Sequence, residues 1–168
     1  NLRDIEDKLI EKGCILSEPI AQHDVIYSFG KSTQEFETSK EGDVILRLRH
    51  LKDETQVNLK KQCSSESDNI EYETTVQDAQ VMHSILEQIG WFPIVEVKKF
   101  RRKGKFKEYE ICLDDVEGLG TFIEIESLVD DNEDPAFVRE KLFDEIELLG
   151  LSRTDEELRG YDTQLFQK

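Results

Sequence analysis

Short segments in which apolar and charged side chains alternate are the feature of this sequence that most restricts its fold. The clearest of them is Leu46-Arg47-Leu48-Arg49. Since successive side chains of a β-strand point to opposite faces, such a strand has one apolar face and one charged face. The same alternation recurs in several other segments, at 56–60, 70–74, 108–114 and 123–126. The pattern therefore predicts a sheet of short, largely antiparallel strands.

Apolar residues at helical spacing predict four helices between and after the strands, over about 2–12, 78–89, 135–149 and 155–166. The first three end at a glycine, and Asp134 with Pro135 forms a start signal for the third. In the second helix one stripe is expected to pack into the core, formed by Val81, Ile85, Leu86 and Ile89. Lys103-Gly104-Lys105 predicts a hairpin turn between strands at about 95–102 and 106–114.

Charge and cysteine content argue against several classes of function. The 168 residues include 36% charged residues and carry a net charge of −16, which disfavours DNA or RNA as a partner. Cys14, Cys63 and Cys112 show no CxxC spacing, so neither a disulfide framework nor a zinc knuckle is indicated. No apolar run has the length of a membrane span. We therefore expect a single domain in a reducing, cytoplasmic setting.

The two halves of the chain carry similar series of charged residues. The first half contains a basic pair, a lysine and an acidic pair, namely Arg47-x-Arg49, Lys60 and Glu71-x-Glu73. The second half contains a corresponding series, namely Lys99-x-Arg101, Asp114 and Glu124-x-Glu126. This weak internal repeat predicts an α+β fold built from two variations of one unit. Two such sheets could close into a barrel, which would remove their exposed edges.

The direction of the charged faces decides what such a sheet can bind. A polar strand face usually meets water. Here the apolar faces need helices to cover them, so we expect the charged faces to point into a shared cavity. Basic side chains crowded into a cavity repel one another unless an anion is bound. A polyphosphate supplies that anion, and carboxylates could hold the divalent cations that accompany it.

Several of these segments resemble the CYTH family of class IV adenylyl cyclases and thiamine triphosphatases. Leu46-Arg47-Leu48-Arg49, followed by Lys60 and Glu71-x-Glu73, is similar to the first half of the family pattern. The second half carries the family's second basic pair, aspartate-glycine loop and metal-binding strand at 99–101, 113–120 and 122–126. Weaker similarities lie at 22–27 and 159–161. The resemblance covers nearly the whole chain and is greatest to the bacterial and archaeal cyclase-like branch.

The resemblance implies a closed, eight-stranded antiparallel β-barrel, called a triphosphate tunnel, with the helices packed outside. The family's Glu-x-Glu-x-Lys motif belongs on a strand just before the helix that begins at Leu2, and the sequence contains no such strand. We interpret this as missing N-terminal residues, because half of the metal site would be absent from a protein that began at Asn1. Residues 1–168 are thus expected to form a single CYTH-like domain without that strand.

The resemblance also implies roles for individual side chains. The substrate triphosphate is expected to contact a basic set formed by Arg47, Arg49, Lys60, Lys99 and Arg101. Glu124 and Glu126 would hold Mg²⁺ or Mn²⁺, with two ions expected, and Asp114 would assist at the metal or position a water. Glu71 and Glu73 form a supporting acidic pair that either orients the basic side chains or binds metal.

Three functions are compatible with this set of residues. In a cyclase, the ribose 3′-hydroxyl attacks the α-phosphorus of ATP and gives cyclic AMP and pyrophosphate. In a triphosphatase, water attacks the terminal phosphorus of inorganic, thiamine or nucleoside triphosphate. The third is a non-catalytic acidic module that binds phosphorylated ligands, which the acidic run at 130–134 would suit. The resemblance favours the cyclase and ATP, with a homodimer left open. His23, His50 and His83 show no ligand-like clustering in the sequence, so neither a histidine metal centre nor a histidine general base is expected.

Overall fold

Seven strands and four α-helices make up the regular structure of the part of the chain that the computed structural model describes, residues 2–30, 42–65, 68–127 and 134–168. In chain order these are α1 (Leu2–Glu11), β1 (Ile20–Phe29), β2 (Val44–His50), β3 (Thr55–Ser65), β4 (Asp68–Val76), α2 (Ala79–Gln88), β5 (Trp91–Phe106), β6 (Tyr109–Val116), β7 (Gly120–Glu126), α3 (Pro135–Leu148) and α4 (Tyr161–Phe166). A single 3₁₀ turn, Arg153–Asp155, lies between the last two helices. None of the described helices is long and apolar enough to cross a membrane.

The strands are hydrogen-bonded in the order β4-β3-β2-β1-β5-β6-β7. The registered pairs β1–β2, β2–β3, β3–β4 and β6–β7 are all antiparallel. This confirms the predicted α+β class with antiparallel strands. The described residues contribute seven strands, so the eighth strand and the closure of the barrel stay predictions.

The chain divides into two compact units. The first unit comprises 1–20, 100–116 and 120–157, and the second comprises 21–99, 117–119 and 158–168. Strand β5 passes from the second unit into the first between Lys99 and Phe100. The second unit therefore contains most of the first predicted repeat, and the first unit contains most of the other.

The core of the second unit lies between the apolar face of β1–β3 and one side of α2. Tyr27, Leu46, Leu48 and Leu86 are buried there, and Met82 packs against them. The helix begins as predicted, because the side chain of Asp78 accepts a hydrogen bond from the amide of Val81.

The predicted core stripe of α2 is wrong for three of its four residues. Val81, Ile85 and Ile89 are 54%, 47% and 58% exposed, whereas Leu86 is 2% exposed. The helix contacts the sheet through the ridge formed by Met82 and Leu86. Val81 and Ile85 each precede one of these ridge residues, so they lie about 100° around the helix and do not face the sheet.

The apolar face of β4 also differs from the prediction. Ile70 and Tyr72 are 47% and 67% exposed, although they share a face with Leu59, which packs on the core. β4 stands at one end of the strand order, and α2 packs against β1–β3. The expectation that helices cover every apolar strand face therefore fails at β4.

The core of the first unit packs α1 against β6 and the end of α3. Ile5 and Leu9 of α1 are buried with Ile111 and Leu113 of β6, and with Leu149 next to α3. As predicted, α1 is followed by a glycine with a positive φ, Gly13. α3 begins at Pro135 after the N-cap Asp134.

The predicted turn at Lys103-Gly104-Lys105 lies inside β5, which continues to Phe106. The chain instead turns at Lys107 and Glu108, with Lys107 at φ 56°. Gly104 forms a β-bridge with Leu16, and a Cβ atom there would lie 2.8 Å from the Cys14 Sγ atom. Gly104 is thus needed for a close approach of two chain segments rather than for a turn.

The predicted fourth helix is shorter than expected. Only Tyr161–Phe166 is α-helical, while Arg153–Asp155 forms a separate 3₁₀ turn. Ser152 and Asp155 close that turn with a capping box. Residues 156–160 are not helical, and Gly160 is the N-cap of α4.

Candidate functional site

In the second unit, the strand register places the predicted charged residues on one face of β1–β4. Residues that lie directly opposite each other in an antiparallel pair share a face. The pairs are Asp24–Arg49, Arg47–Asn58, Asn58–Glu73 and Lys60–Glu71. We call this set the basic face. Since α2 packs on the opposite side of β1–β3, the predicted separation of charged and apolar faces is confirmed here.

Arg49 and Asp24 form a buried pair within the basic face. Arg49 Nε donates to Asp24 Oδ1 at 2.8 Å, and Arg49 Nη2 donates to Asp24 Oδ2 at 2.8 Å. The residues are 7% and 3% exposed. Burial alone would raise the pKa of Asp24, but the Arg49 hydrogen bonds and the charges of Arg49, Arg47 and Lys99 hold it below its ordinary value. Asp24 is therefore a carboxylate that remains charged inside the sheet.

Arg47 connects this pair to the outer strands. Its Nη1 atom lies 3.7 Å from Asp24 Oδ2, and its Nε atom donates to Asn58 Oδ1 at 3.1 Å. Asn58 in turn donates through Nδ2 to Glu73 Oε2 at 2.5 Å. Glu73 is therefore connected to Arg47 through the amide of Asn58, while the role of the acidic pair, orienting or metal-binding, stays a prediction.

The other two predicted phosphate-binding residues of the second unit have different surroundings. Lys60 Nζ lies 3.2 Å from Glu71 Oε1, and both side chains are well exposed. Lys99 is 6% exposed and its Nζ atom lies 4.9 Å from the centre of the Tyr161 ring, a cation–π contact. Next to that tyrosine, burial raises the pKa of Asp162, although a backbone hydrogen bond from Thr163 and the charges of Arg47 and Lys60 oppose the shift.

The first unit has its own charged face on β5–β7, which we call the acidic face. Arg101 is central to it, since its Nε and Nη2 atoms donate to the two carboxylate oxygens of Asp114 at 2.7 and 2.5 Å. Arg101 Nη2 also donates to Glu124 Oε2 at 2.5 Å. Arg101 is 7% exposed and Asp114 is fully buried. Burial would lower the pKa of Arg101, but the bonds and charges of Asp114 and Glu124 raise it above its ordinary value.

The acidic face supplies carboxylate oxygens that suit a hard divalent cation. Glu110 lies opposite Glu126, Cys112 opposite Glu124, and Asp114 opposite Phe122, so all four carboxylates share this face. Lys103 Nζ contacts Glu110 at 2.7 Å. Within the described ranges no three His, Cys, Asp or Glu side chains already converge on one point as metal ligands. Glu124 and Glu126 could supply two carboxylate ligands to a metal ion, and the remaining ligands would have to come from other groups.

Several residues of the site were missed by sequence reasoning. Asp24 and Asn58 bind the predicted arginines, and Tyr161 and Asp162 lie near Lys99, Arg47 and Lys60. The segments around Asp24 and Tyr161 carried only weak family similarity. The alternation of 56–60 does mark Asn58 as a member of the charged face.

Two of the three histidines lie close together. His23 and His50 are opposite each other on β1 and β2, with ring centres 5.6 Å apart. His23 Nε2 lies 2.9 Å from Glu96 Oε2. Burial and the neighbouring His23 lower the pKa of His50. His83 bonds elsewhere, to the Tyr27 hydroxyl at 2.7 Å. The predicted acidic run at 130–134 lies outside the described residues except for Asp134.

Comparison with known proteins identifies a matching family and several relatives. The CYTH domain model matches residues 3–161 of the chain. A candidate adenylate cyclase of Methanocaldococcus jannaschii is 30% identical over 83 residues. That alignment covers 49% of this chain, and the chain spans only 47% of the relative's length.

Solved structures share the fold over most of the chain. A candidate adenylate cyclase from Vibrio parahaemolyticus superposes with a TM-score of 0.81 at 22% identity, covering 100% of this chain and 92% of the other. A candidate adenylyl cyclase from Hippeastrum, described as having a dominant triphosphatase activity, gives a TM-score of 0.60 at 17% identity, covering 89% and 81%. At these identities the likeness shows the fold alone.

Proposed function

Because the chain belongs to the CYTH domain family, we propose that it is a divalent-metal-dependent enzyme that processes a small-molecule triphosphate. The observation that carries this proposal is the burial of three basic side chains on charged strand faces. Arg49, Lys99 and Arg101 are 7%, 6% and 7% exposed. Buried cations are costly unless each has a counter-charge. Basic groups gathered on charged strand faces are suited to an anionic ligand that carries several charges.

The proposed phosphate-binding residues are those that the sequence predicted, Arg47, Arg49, Lys60, Lys99 and Arg101. The guanidinium groups can each offer a planar pair of N–H donors to phosphate oxygens, whereas the lysines act as point charges. The closed eight-stranded barrel implied by the family resemblance is part of this proposal.

The proposed metal ligands are Glu124 and Glu126 of the acidic face. Their carboxylate oxygens fit Mg²⁺ or Mn²⁺, and the bound ion would neutralise charge on the phosphate oxygens. Asp114 is also proposed at the metal, but its two bonds to Arg101 favour a role in holding that arginine. The number of ions, two in our proposal, follows from the family resemblance.

The proposed reaction is the conversion of ATP to cyclic AMP. In it the ribose 3′-hydroxyl loses its proton and attacks the α-phosphorus, the bond to the β-phosphate oxygen breaks, and pyrophosphate leaves. The candidate cyclases from M. jannaschii and V. parahaemolyticus support this choice. The triphosphatase activity described for the Hippeastrum protein supports the second candidate, hydrolysis of the terminal phosphate bond of a triphosphate.

The products formed from ATP decide between these activities. The protein would be incubated separately with ATP, inorganic triphosphate and thiamine triphosphate, each with Mg²⁺ or Mn²⁺. Cyclic AMP and pyrophosphate in equal amounts are expected from ATP. Orthophosphate release instead would replace the cyclase by a triphosphatase. Binding of ATP without any product would support the non-catalytic module.

A pair of variants tests the metal ligands. Glu124→Ala and Glu126→Ala are each expected to lower turnover by at least about 100-fold, because a weakened metal site loses its charge stabilisation of the transition state. Glu140→Gln is the control, since it removes a carboxylate of α3 that pairs with Arg153. Unchanged turnover in both β7 variants would refute the assignment.

A further inference from the structure

The Asp24–Arg49 pair leaves part of the arginine available. A guanidinium group carries five N–H donors, and Asp24 accepts from only two of its nitrogens, Nε and Nη2. Among the described residues, Asp24 is the only side chain that bonds to the Arg49 guanidinium. The edge formed by Nη1 and the outer side of Nη2 carries no bond to a described side chain, and we call it the open edge.

Two bonds along one edge also fix the plane of the group. A single bond would let the guanidinium turn about the contact, whereas a bidentate carboxylate fixes both position and plane. In the first unit, Asp114 binds Arg101 through the same two nitrogens, Nε and Nη2. Arg101 Nη2 also donates to Glu124 on its outer side, so the corresponding edge of Arg49 is a place where a second anionic acceptor can bind.

We infer that Asp24 is a positioning residue, which acts through Arg49 by presenting the open Nη1 edge to a phosphate group of the substrate. This inference rests on the proposed function. Phosphate oxygens match the spacing of that edge as carboxylate oxygens match the other. Asp24 itself does not touch the substrate, since its two oxygens are engaged by Arg49.

Two simpler roles for Asp24 make different predictions. If it only balances a buried charge, its removal lowers the thermal midpoint but leaves the turnover of the folded protein unchanged. If it acts only as a negative charge near the ligand, its removal tightens phosphate binding and leaves kcat unchanged. A positioning role predicts that kcat falls and that the loss depends on Arg49.

The test is a double-mutant cycle with Asp24→Asn, Asp24→Ala, Arg49→Ala and the double variant Asp24→Ala/Arg49→Ala. Binding of inorganic triphosphate with Mg²⁺ is measured by calorimetry, turnover of ATP by product formation, and folding by thermal unfolding. Glu96→Gln is the matched control, because it also removes one carboxylate from the second unit but pairs with His23, and its side chain is 58% exposed.

A positioning role predicts that kcat of Asp24→Asn is at least about tenfold lower than that of the wild type. Asp24→Asn keeps the side-chain volume, so it serves as the test variant if Asp24→Ala does not fold. The double variant is expected to be no less active than Arg49→Ala alone. Additive losses in the double variant, or a normal kcat in Asp24→Asn, would overturn the inference while leaving the proposed function intact. A wild-type protein that binds no inorganic triphosphate would overturn both.

Discussion

Each basic side chain that is deeply buried in the described part of the chain contacts a partner of its own. Arg49 has Asp24, Arg101 has Asp114 and Glu124, and Lys99 has the ring of Tyr161. Because a buried cation without a counter-charge is strongly destabilising, the carboxylates of Asp24 and Asp114 stabilise the two buried arginines. The proposed ligand would add to ion pairs that are already formed.

Cys112, which is buried, provides a residue-level test of the acidic face. Burial and the charges of Glu124 and Glu126 raise its thiol pKa to about 12, against the lowering effect of Arg101. The folded thiol thus keeps its proton at a pH where the unfolded thiol has lost it. Its contribution to stability is full below pH 9.0, the ordinary thiol pKa, and is lost as the pH rises from there to about 12.

The prediction concerns Cys112→Ala in urea unfolding across this alkaline range. The unfolding free energy of the variant should fall less steeply with pH than that of the wild type, by up to about 1.4 kcal/mol per pH unit. Cys63→Ala is the control, because that side chain is not buried. If the unfolding free energies of the wild type and Cys112→Ala changed with pH in parallel, the thiol pKa would be the same in the folded and unfolded states, which would contradict the prediction.

At the scale of elements, α2 shows what a helix pattern can and cannot predict. The cap at Asp78 and the stop at Gly90 define the helix from local chemistry, so its existence was predicted correctly. Its contact face depends on which ridge meets the sheet. The helix has two adjacent apolar ridges, one formed by residues 82 and 86 and the other by residues 81, 85 and 89. Only tertiary packing determines which of the two contacts the sheet.

Adjacent residues of α2 allow a direct test of this packing. Leu86→Ala is expected to lower the unfolding free energy by about 2–5 kcal/mol, because it opens a cavity under the helix. Ile85→Gln should change it by less than about 0.5 kcal/mol, because that side chain is 47% exposed. Chemical unfolding of both variants measures the difference. Equal losses would mean that Ile85 is also covered in solution.

For the strands of the site too, the sequence predicts the local alternation of side chains but not which strands lie next to each other. Alternation predicted which side chains share a face, and the register confirms it for Arg47, Arg49 and Lys60. It could not predict Asp24, because the partner of Arg49 depends on which strand lies beside β2. The burial pattern of β1 is also mixed, with Tyr27 and Ser28 both buried on successive positions.

At the scale of the whole molecule, the net charge of −16 opposes an anionic ligand. Four basic side chains of the second unit are also offset there by four carboxylates, Asp24, Glu71, Glu73 and Asp162. The site therefore lacks the excess positive charge that would attract a triphosphate from a distance. Binding has to rely on short-range contacts and on the metal that accompanies the ligand.

This balance predicts an unusual salt dependence. The association rate constant of Mg²⁺-bound inorganic triphosphate should rise as salt is added up to about 0.15 M, because screening over about 8 Å weakens the general repulsion. Stopped-flow measurements of Trp91 fluorescence provide the readout. Glu140→Gln/Asp144→Asn, which removes two exposed carboxylates near Arg153, should reduce the slope. A rate constant that falls with salt would contradict the prediction.

The course of β5 through both units has a consequence for how such a chain can change over time. Each unit is assembled from three separate stretches of sequence, and both include part of Trp91–Phe106. A single crossover between related genes therefore cannot exchange one complete unit and leave the other unchanged.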